Sequence, residues 1–150
     1  ATGGGDRPEA AAACLNNALK SDWMTKSSTV AQDYFADNGN GSADIINIPV
    51  VVFWTDAPIS PLARTRQAFD STIPLTYSDF EAKWNNSANI RQDTKLLIQF
   101  GPGSVEGWNQ ISGWDRYKYG GSLATGNNQS VKVIADEIKK SIPEVLRISS

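Results

Sequence analysis

This chain of 150 residues has the length of one ordinary domain, and 40% hydrophobic with 20% charged residues is typical of globular proteins. The formal net charge of −2 gives no electrostatic case for binding nucleic acid or an anionic membrane surface. No run of about eighteen apolar residues occurs, so no membrane-spanning helix is predicted.

Residues that bind metals through nitrogen or sulfur are nearly absent. The chain has no His and one Cys, which excludes His-based zinc sites, His general bases and an internal disulfide. We expect that Cys14 is a small buried hydrophobe on a helix. Any metal is then expected to be a hard cation held by oxygen ligands.

The chain begins with a helix signal. Asp6 and Glu9 form a variant of the capping box, with Pro8 in the first turn, and predict a helix that runs to about Asp22. Its apolar stripe comprises Ala11, Leu15, Ala18 and Leu19. Residues 24–47 are polar and predict a long surface insertion.

The next segments alternate between strands and helices. Ile45–Trp54 is a nearly continuous β-branched and aromatic run, typical of a strand buried on both faces. The later predicted elements are a helix at Thr76–Trp84, a buried strand at Leu96–Phe100, a helix within 105–114, a short strand within 116–121 and a helix at Ser130–Ile142. The last helix carries an apolar stripe of Val131, Ile134, Ala135, Ile138 and Ile142.

This alternation predicts one α/β domain, a parallel sheet with helices on both sides and right-handed crossovers. Ligands in such sheets bind at the carboxyl ends of the strands. Asp56 follows the first strand, whereas Asp6 and Glu9 lie in the loop that opens the first helix, next to three glycines. Each acid also has a purely structural explanation: Asp6 and Glu9 as helix caps, and Asp56 as the start of a turn.

Four stretches carry a resemblance to a known family: "GGGDRPEAA", "VVVFWTDAP", "KLLIQFGPGSVEGWNQIS" and "VIADEIKKSI". Together they resemble the later half of a von Willebrand factor A domain, closest to bacterial members with a Gly-Gly-Asp-x-Pro-Glu loop and a Thr-Asp-Ala-Pro strand end. The resemblance covers most of the chain, weakly over 24–47. It implies a Rossmann-like three-layer sandwich and a metal-ion-dependent adhesion site holding Mg²⁺ or another hard divalent cation, with Asp56, Asp6 and Glu9 as metal ligands.

The sequence departs from the family pattern in one large way. The family's Asp-x-Ser-x-Ser loop occurs nowhere in it; "DSTIP" at 70–74 is a different motif. The resemblance therefore implies that residues 1–150 are the C-terminal part of one domain whose first half is missing from this chain. The metal site would be complete only when a complementary N-terminal half supplies that motif.

Two function classes follow. The first is a non-enzymatic module that binds a protein partner, through a partner carboxylate on the metal; the alternative is a structural or assembly scaffold with a degenerate metal site. A hydrolase using Asp56 with Ser60 or Thr55 lacks both a His base and a Gly-x-Ser-x-Gly elbow, so no enzyme is predicted. The sequence leaves open whether the protein is cytoplasmic or secreted.

Overall fold

A computed structural model describes residues 10–21, 23, 48–102, 104–122 and 127–141. Within these residues, three parallel strands form a sheet in the order β1 (Val50–Trp54), β2 (Leu96–Phe100), β3 (Tyr117–Gly121). The described helices are α1 (Ala11–Lys20), α2 (Leu62–Ala68), α3 (Tyr77–Asn86), α4 (Trp108–Ile111) and α5 (Asn127–Ser141). None of these helices is long and apolar enough to cross a membrane.

β2 lies in the middle of the sheet, and all five of its residues are buried, as the apolar run predicts. The expectation that the first strand is buried on both faces is wrong. Val50 through Phe53 are half-buried, and Trp54 is 55% exposed. β1 has β2 as a neighbour on one side only within the described residues, which leaves its side chains less covered.

Helices cover both faces of the sheet. Leu97 belongs to the main core, which also contains side chains of α1, α3 and α4. Leu96 instead lines a cavity together with Glu137 and Ser141 of α5. Because successive side chains of a strand point to opposite faces, α5 covers the face opposite to the main core. The prediction of a parallel α/β sheet between helices is therefore confirmed.

Aromatic side chains of the helices form much of the main core. Phe80 packs against Trp114 with a centroid distance of 5.6 Å, and the Trp84 indole donates to the Asp115 carbonyl at 2.7 Å. The predicted helix at Thr76–Trp84 is confirmed as α3, and Thr76 caps it by accepting from the Asp79 amide at 3.1 Å. α2 was not predicted, although Pro61 directly before it is a helix-start signal.

α1 confirms its predicted stripe in part, because Ala18 is only half-buried, and it begins later than predicted. Ala11, Leu15 and Leu19 are buried, whereas Cys14 is exposed on the opposite side of the helix, so the expectation of a buried cysteine is wrong. The described helix begins at Ala11, later than the capping box predicts, and no side chain caps it at Ala10. Asp6, Glu9 and the predicted insertion at 24–47 lie outside the described residues.

α5 is rotated relative to its predicted apolar stripe. Val131 is 65% exposed and Ala135 is exposed, whereas Ser130, Glu137 and Ser141 face inward. The last turn explains the rotation, because Ser141 Oγ donates to the Thr94 carbonyl at 2.5 Å and thereby turns this polar position toward the sheet. Ile134 and Ile138 are half-buried, and Ile142 lies outside the described residues.

Candidate functional site

Asp56 lies at the carboxyl edge of the sheet, as predicted. It follows β1 by one intervening residue, Thr55, whose amide donates to the Phe100 carbonyl at 3.1 Å. Thr55 and Ala57 are buried, whereas Asp56 between them is exposed. The backbone on both sides of Asp56 is therefore packed, whereas the residue itself is exposed.

A side-chain hydrogen bond shapes this turn. Thr55 Oγ1 accepts from the Ala57 amide at 3.2 Å and lies 3.3 Å from the Ala57 carbonyl, to which it donates. Threonine hydroxyls commonly bond to the backbone two residues on and thereby stabilise turns. Thr55 thus holds the backbone around Asp56, the kind of support that a preorganised ligand needs.

The loop after β2 packs directly against this turn. Gly101 has a φ of 121°, and a Cβ added there would lie 1.8 Å from the Thr55 carbonyl oxygen. Further along, the Ile59 amide donates to the Glu106 carbonyl at 3.0 Å. Glycine at 101 is required both by the left-handed backbone and by this close approach. The loops after β1 and β2 therefore form one packed edge.

An aromatic pair borders the same turn. Trp54 stacks on Phe100 with a centroid distance of 5.1 Å and an interplanar angle of 6°. Phe100 in turn lies over Gly120, where a Cβ would come within 2.6 Å of its ring. The indole is two residues from Asp56 and, although largely exposed, it is oriented by a buried ring.

The direction of α1 determines the edge of the sheet toward which this helix begins. The Leu19 carbonyl, near the end of α1, accepts from Asn89 Nδ2 at 3.3 Å. Asn89 belongs to the segment between α3 and β2, where Gln92 Nε2 also donates to the Ser87 carbonyl at 3.2 Å. The carboxyl end of α1 therefore lies toward the amino edge of the sheet. α1 is about 15 Å long, similar to a five-residue strand, so it begins toward the carboxyl edge.

Of the three predicted metal ligands, Asp56 is the one that lies among the described residues. Asp56 offers the oxygen chemistry that magnesium prefers. Asp6 and Glu9 lie outside the described residues. Among the described residues, no group of three or more His, Cys, Asp or Glu side chains is arranged to hold a metal ion.

A further acid in the loop after β2 was missed by the sequence analysis. The Glu106 carbonyl accepts the hydrogen bond from the Ile59 amide, and the residue is exposed. Burial, together with the charge of Glu106, raises the pKa of Tyr77 to about 12. Its position two residues before α4, in a Gly-Pro-Gly-containing loop after a buried strand, is the signal that could have identified it.

The opposite, amino edge of the sheet carries a second polar cluster that the sequence did not predict. Lys95 is fully buried, donates from Nζ to the Trp84 carbonyl at 3.0 Å and lies 4.7 Å from the centroid of that indole ring. Asp115 Oδ2 lies 3.8 Å from the ammonium. Burial lowers the pKa of Lys95, while Asp115 opposes that shift. Lysine at the start of an apolar strand gives no sequence signal for such burial.

Comparisons of this chain with protein-family models, with curated proteins and with solved structures gave no match.

Proposed function

We propose that this chain is the C-terminal part of a von Willebrand factor A-like domain whose magnesium-type site binds a protein partner. Asp56 would supply one ligand to the metal. The observation that carries the proposal is the position of Asp56, an exposed residue at the carboxyl edge on a turn held between buried neighbours. The proposed partner contact is a carboxylate that completes the coordination of the metal.

The arrangement of the elements supports this proposal. The three strands are parallel and neighbour one another in chain order, and α1 begins toward the same edge as Asp56. The residues directly before α1 include Asp6 and Glu9, which we propose as the second source of ligands. Two or three gathered carboxylates repel one another unless a cation neutralises them.

We propose that the remaining ligands come from an Asp-x-Ser-x-Ser segment outside residues 1–150, because this sequence contains none. The site would then be incomplete in residues 1–150 alone and complete when that segment is joined to them. Since the metal would bind the joined state preferentially, it would also stabilise that state by linkage.

Calorimetric titration of Mg²⁺ tests the proposal. The chain alone is expected to bind weakly, and the chain combined with a segment bearing Asp-x-Ser-x-Ser is expected to bind more tightly. Asp56→Asn should abolish the gain, whereas Asp136→Asn, at an exposed position on α5, should leave it intact.

Two outcomes would contradict the metal site. They are a joined domain that binds no divalent ion, and an Asp56→Asn variant that binds Mg²⁺ as the parent does. The alternative function, a structural or assembly scaffold with a degenerate metal site, would then replace the binding module.

A further inference from the structure

A polar cavity lies at the amino edge of the sheet, opposite to the edge that carries Asp56. It has a volume of about 270 Å³ and is lined by Leu96, Asp115, Arg116, Lys118, Glu137, Lys140 and Ser141. Its walls therefore come from the starts of β2 and β3 and from the last turn of α5. The volume is below the range of about 300–1,000 Å³ that is usual for pockets of drug-sized ligands, which favours a small ligand.

One wall of the cavity is a buried carboxylate with unused hydrogen-bonding capacity. Glu137 is only 8% exposed, and its Oε1 atom accepts no hydrogen bond from the described residues. The Lys140 ammonium lies 3.4 Å from that oxygen as an ion pair. Buried acceptors without a hydrogen bond are uncommon because they lose their hydration without replacement. A ligand with a donor group would satisfy this atom.

The basic residues of the cavity favour an anionic group on the ligand. The two acids of the cavity already have cationic neighbours, Asp115 beside Lys95 and Glu137 beside Lys140. Among the described residues, no carboxylate oxygen lies within 4.0 Å of the side-chain nitrogens of Arg116 or Lys118. The cavity thus combines two cations available to an anion with one acceptor available to a donor.

Arg116 is also held in place, which makes its charge a fixed part of the wall. It donates from Nε to the Lys95 carbonyl at 3.2 Å and from Nη2 to Ser141 Oγ at 3.0 Å and to the Asp93 carbonyl. These acceptors are neutral. The charge of Arg116 helps to lower the pKa of Asp93, but the ion pair of that carboxylate is with Arg91, so the guanidinium charge remains available to an anionic group. A charged group that is already oriented loses little conformational entropy when a ligand binds.

We propose that this cavity binds a small carboxylate that also carries an amino or hydroxyl donor, such as an amino acid or a hydroxy acid. The carboxylate lies near Arg116 and Lys118, and the donor group bonds to Glu137 Oε1. This site is separate from the proposed metal site, and neither depends on the other.

Three small molecules with different functional groups test the proposal. Their binding to the full chain is followed by two-dimensional NMR at constant ionic strength. L-Serine carries both groups, acetate carries only the anion, and ethanolamine carries only the donors. Serine is expected to give saturable shifts of the Arg116, Glu137 and Ser141 amides. Acetate should bind about tenfold more weakly, the size expected for a hydrogen bond to a charged acceptor. Ethanolamine should give no saturable shift.

Two variants and one control separate the contributions. Lys118→Gln should weaken both serine and acetate, whereas Lys139→Gln, an exposed change on α5 outside the cavity lining, should weaken neither. Glu137→Met keeps a side chain of similar length and removes the acceptor, so it should abolish the preference for serine over acetate. The NMR spectrum of each free variant shows whether it retains the fold.

The proposal is overturned if serine gives no saturable shift in the folded parent chain. It is equally overturned if Lys139→Gln weakens serine binding as much as Lys118→Gln, since the attraction would then be non-specific. An unchanged preference for serine in folded Glu137→Met would refute the role of Glu137.

Discussion

Arg116 holds the last turn of α5 against the sheet, because its Nη2 atom donates a hydrogen bond to Ser141 Oγ at 3.0 Å. The same guanidinium donates to the backbone oxygens of Asp93 and Lys95 at the amino end of β2. Arg116 has a φ of 68°, a conformation that residues other than glycine adopt at a cost. The hydrogen bonds of its side chain therefore stabilise both a helix position and a backbone conformation.

Removing this side chain should destabilise the fold measurably. We expect Arg116→Ala to lower the free energy of unfolding by about 2–3 kcal/mol and Ser141→Ala by about 1 kcal/mol. The double variant should lose less than the sum, since the two residues share a hydrogen bond. Urea denaturation measures all three. Arg64→Ala, at an exposed position on α2, is the control and should change stability by less than about 0.5 kcal/mol; an equal effect of both arginines would contradict the role of Arg116.

The close approach at the carboxyl edge predicts a strong effect of one added methyl group. Gly101→Ala should destabilise the protein by about 3 kcal/mol or more, because its Cβ would overlap the Thr55 carbonyl and its φ of 121° disfavours any side chain. Gly113→Ala is the matched control, because its Cβ would approach only the Gln110 carbonyl, at 3.9 Å. Thermal unfolding that shifts equally in both variants would refute the packing of the two loops.

Because α5 is rotated, we expect alanine substitutions along this helix to lower the free energy of unfolding by unequal amounts. Val131→Ala should cost less than about 0.5 kcal/mol because the side chain is exposed. Ile138→Ala should cost about 1–2 kcal/mol, below the range of about 2–5 kcal/mol for a fully buried isoleucine, because Ile138 is only half-buried. Urea denaturation distinguishes the two, and a larger loss at Val131 would restore the stripe predicted from the sequence.

We expect Asp70 to contribute to the loss of stability at acidic pH. The hydrogen bond from Lys20, followed by those from the Thr72 amide and hydroxyl, holds the pKa of Asp70 well below its ordinary value. A lowered pKa in the folded state stabilises the protein above the unfolded pKa of about 3.9, and this stabilisation is lost as the pH falls below that value.

Asp70→Asn should therefore flatten the dependence of stability on pH below about pH 4. Urea denaturation across this acidic range provides the measurement. Asp136→Asn serves as the control for removing an exposed carboxylate and should leave the slope as in the parent. An unchanged slope in Asp70→Asn would show that the carboxylate is not linked to folding.

Because β1 exposes apolar side chains, we expect the isolated chain to associate. Its residues are at most half-buried, and Trp54 at its end exposes a large apolar surface. Strands with exposed apolar side chains promote pairing between chains. Sedimentation velocity should show association that increases with concentration and decreases in Trp54→Lys. Phe69→Lys, at another exposed aromatic residue, should have a smaller effect. A monodisperse parent monomer with cooperative unfolding would contradict this expectation.

The sequence by itself determined the elements whose signals are local. The uninterrupted apolar run at Leu96–Phe100 became the buried central strand, and the helix predicted at Thr76–Trp84 became α3. The position of Asp56 at a strand end followed from the same reasoning, because parallel strands present their carboxyl ends at one edge. These features depend on the order of neighbouring residues, which the sequence contains in full.

Only the tertiary structure decided which surfaces are covered. Periodicity places Val131 on the apolar side of α5, but the hydrogen bonds of Ser141 with Thr94 and Arg116 turn a polar stripe inward. The sequence likewise predicts a buried Cys14, which the structure exposes, and gives no signal for the burial of Lys95. Burial depends on partners that are distant in the chain, and a buried cation is tolerated only where those partners supply hydrogen bonds.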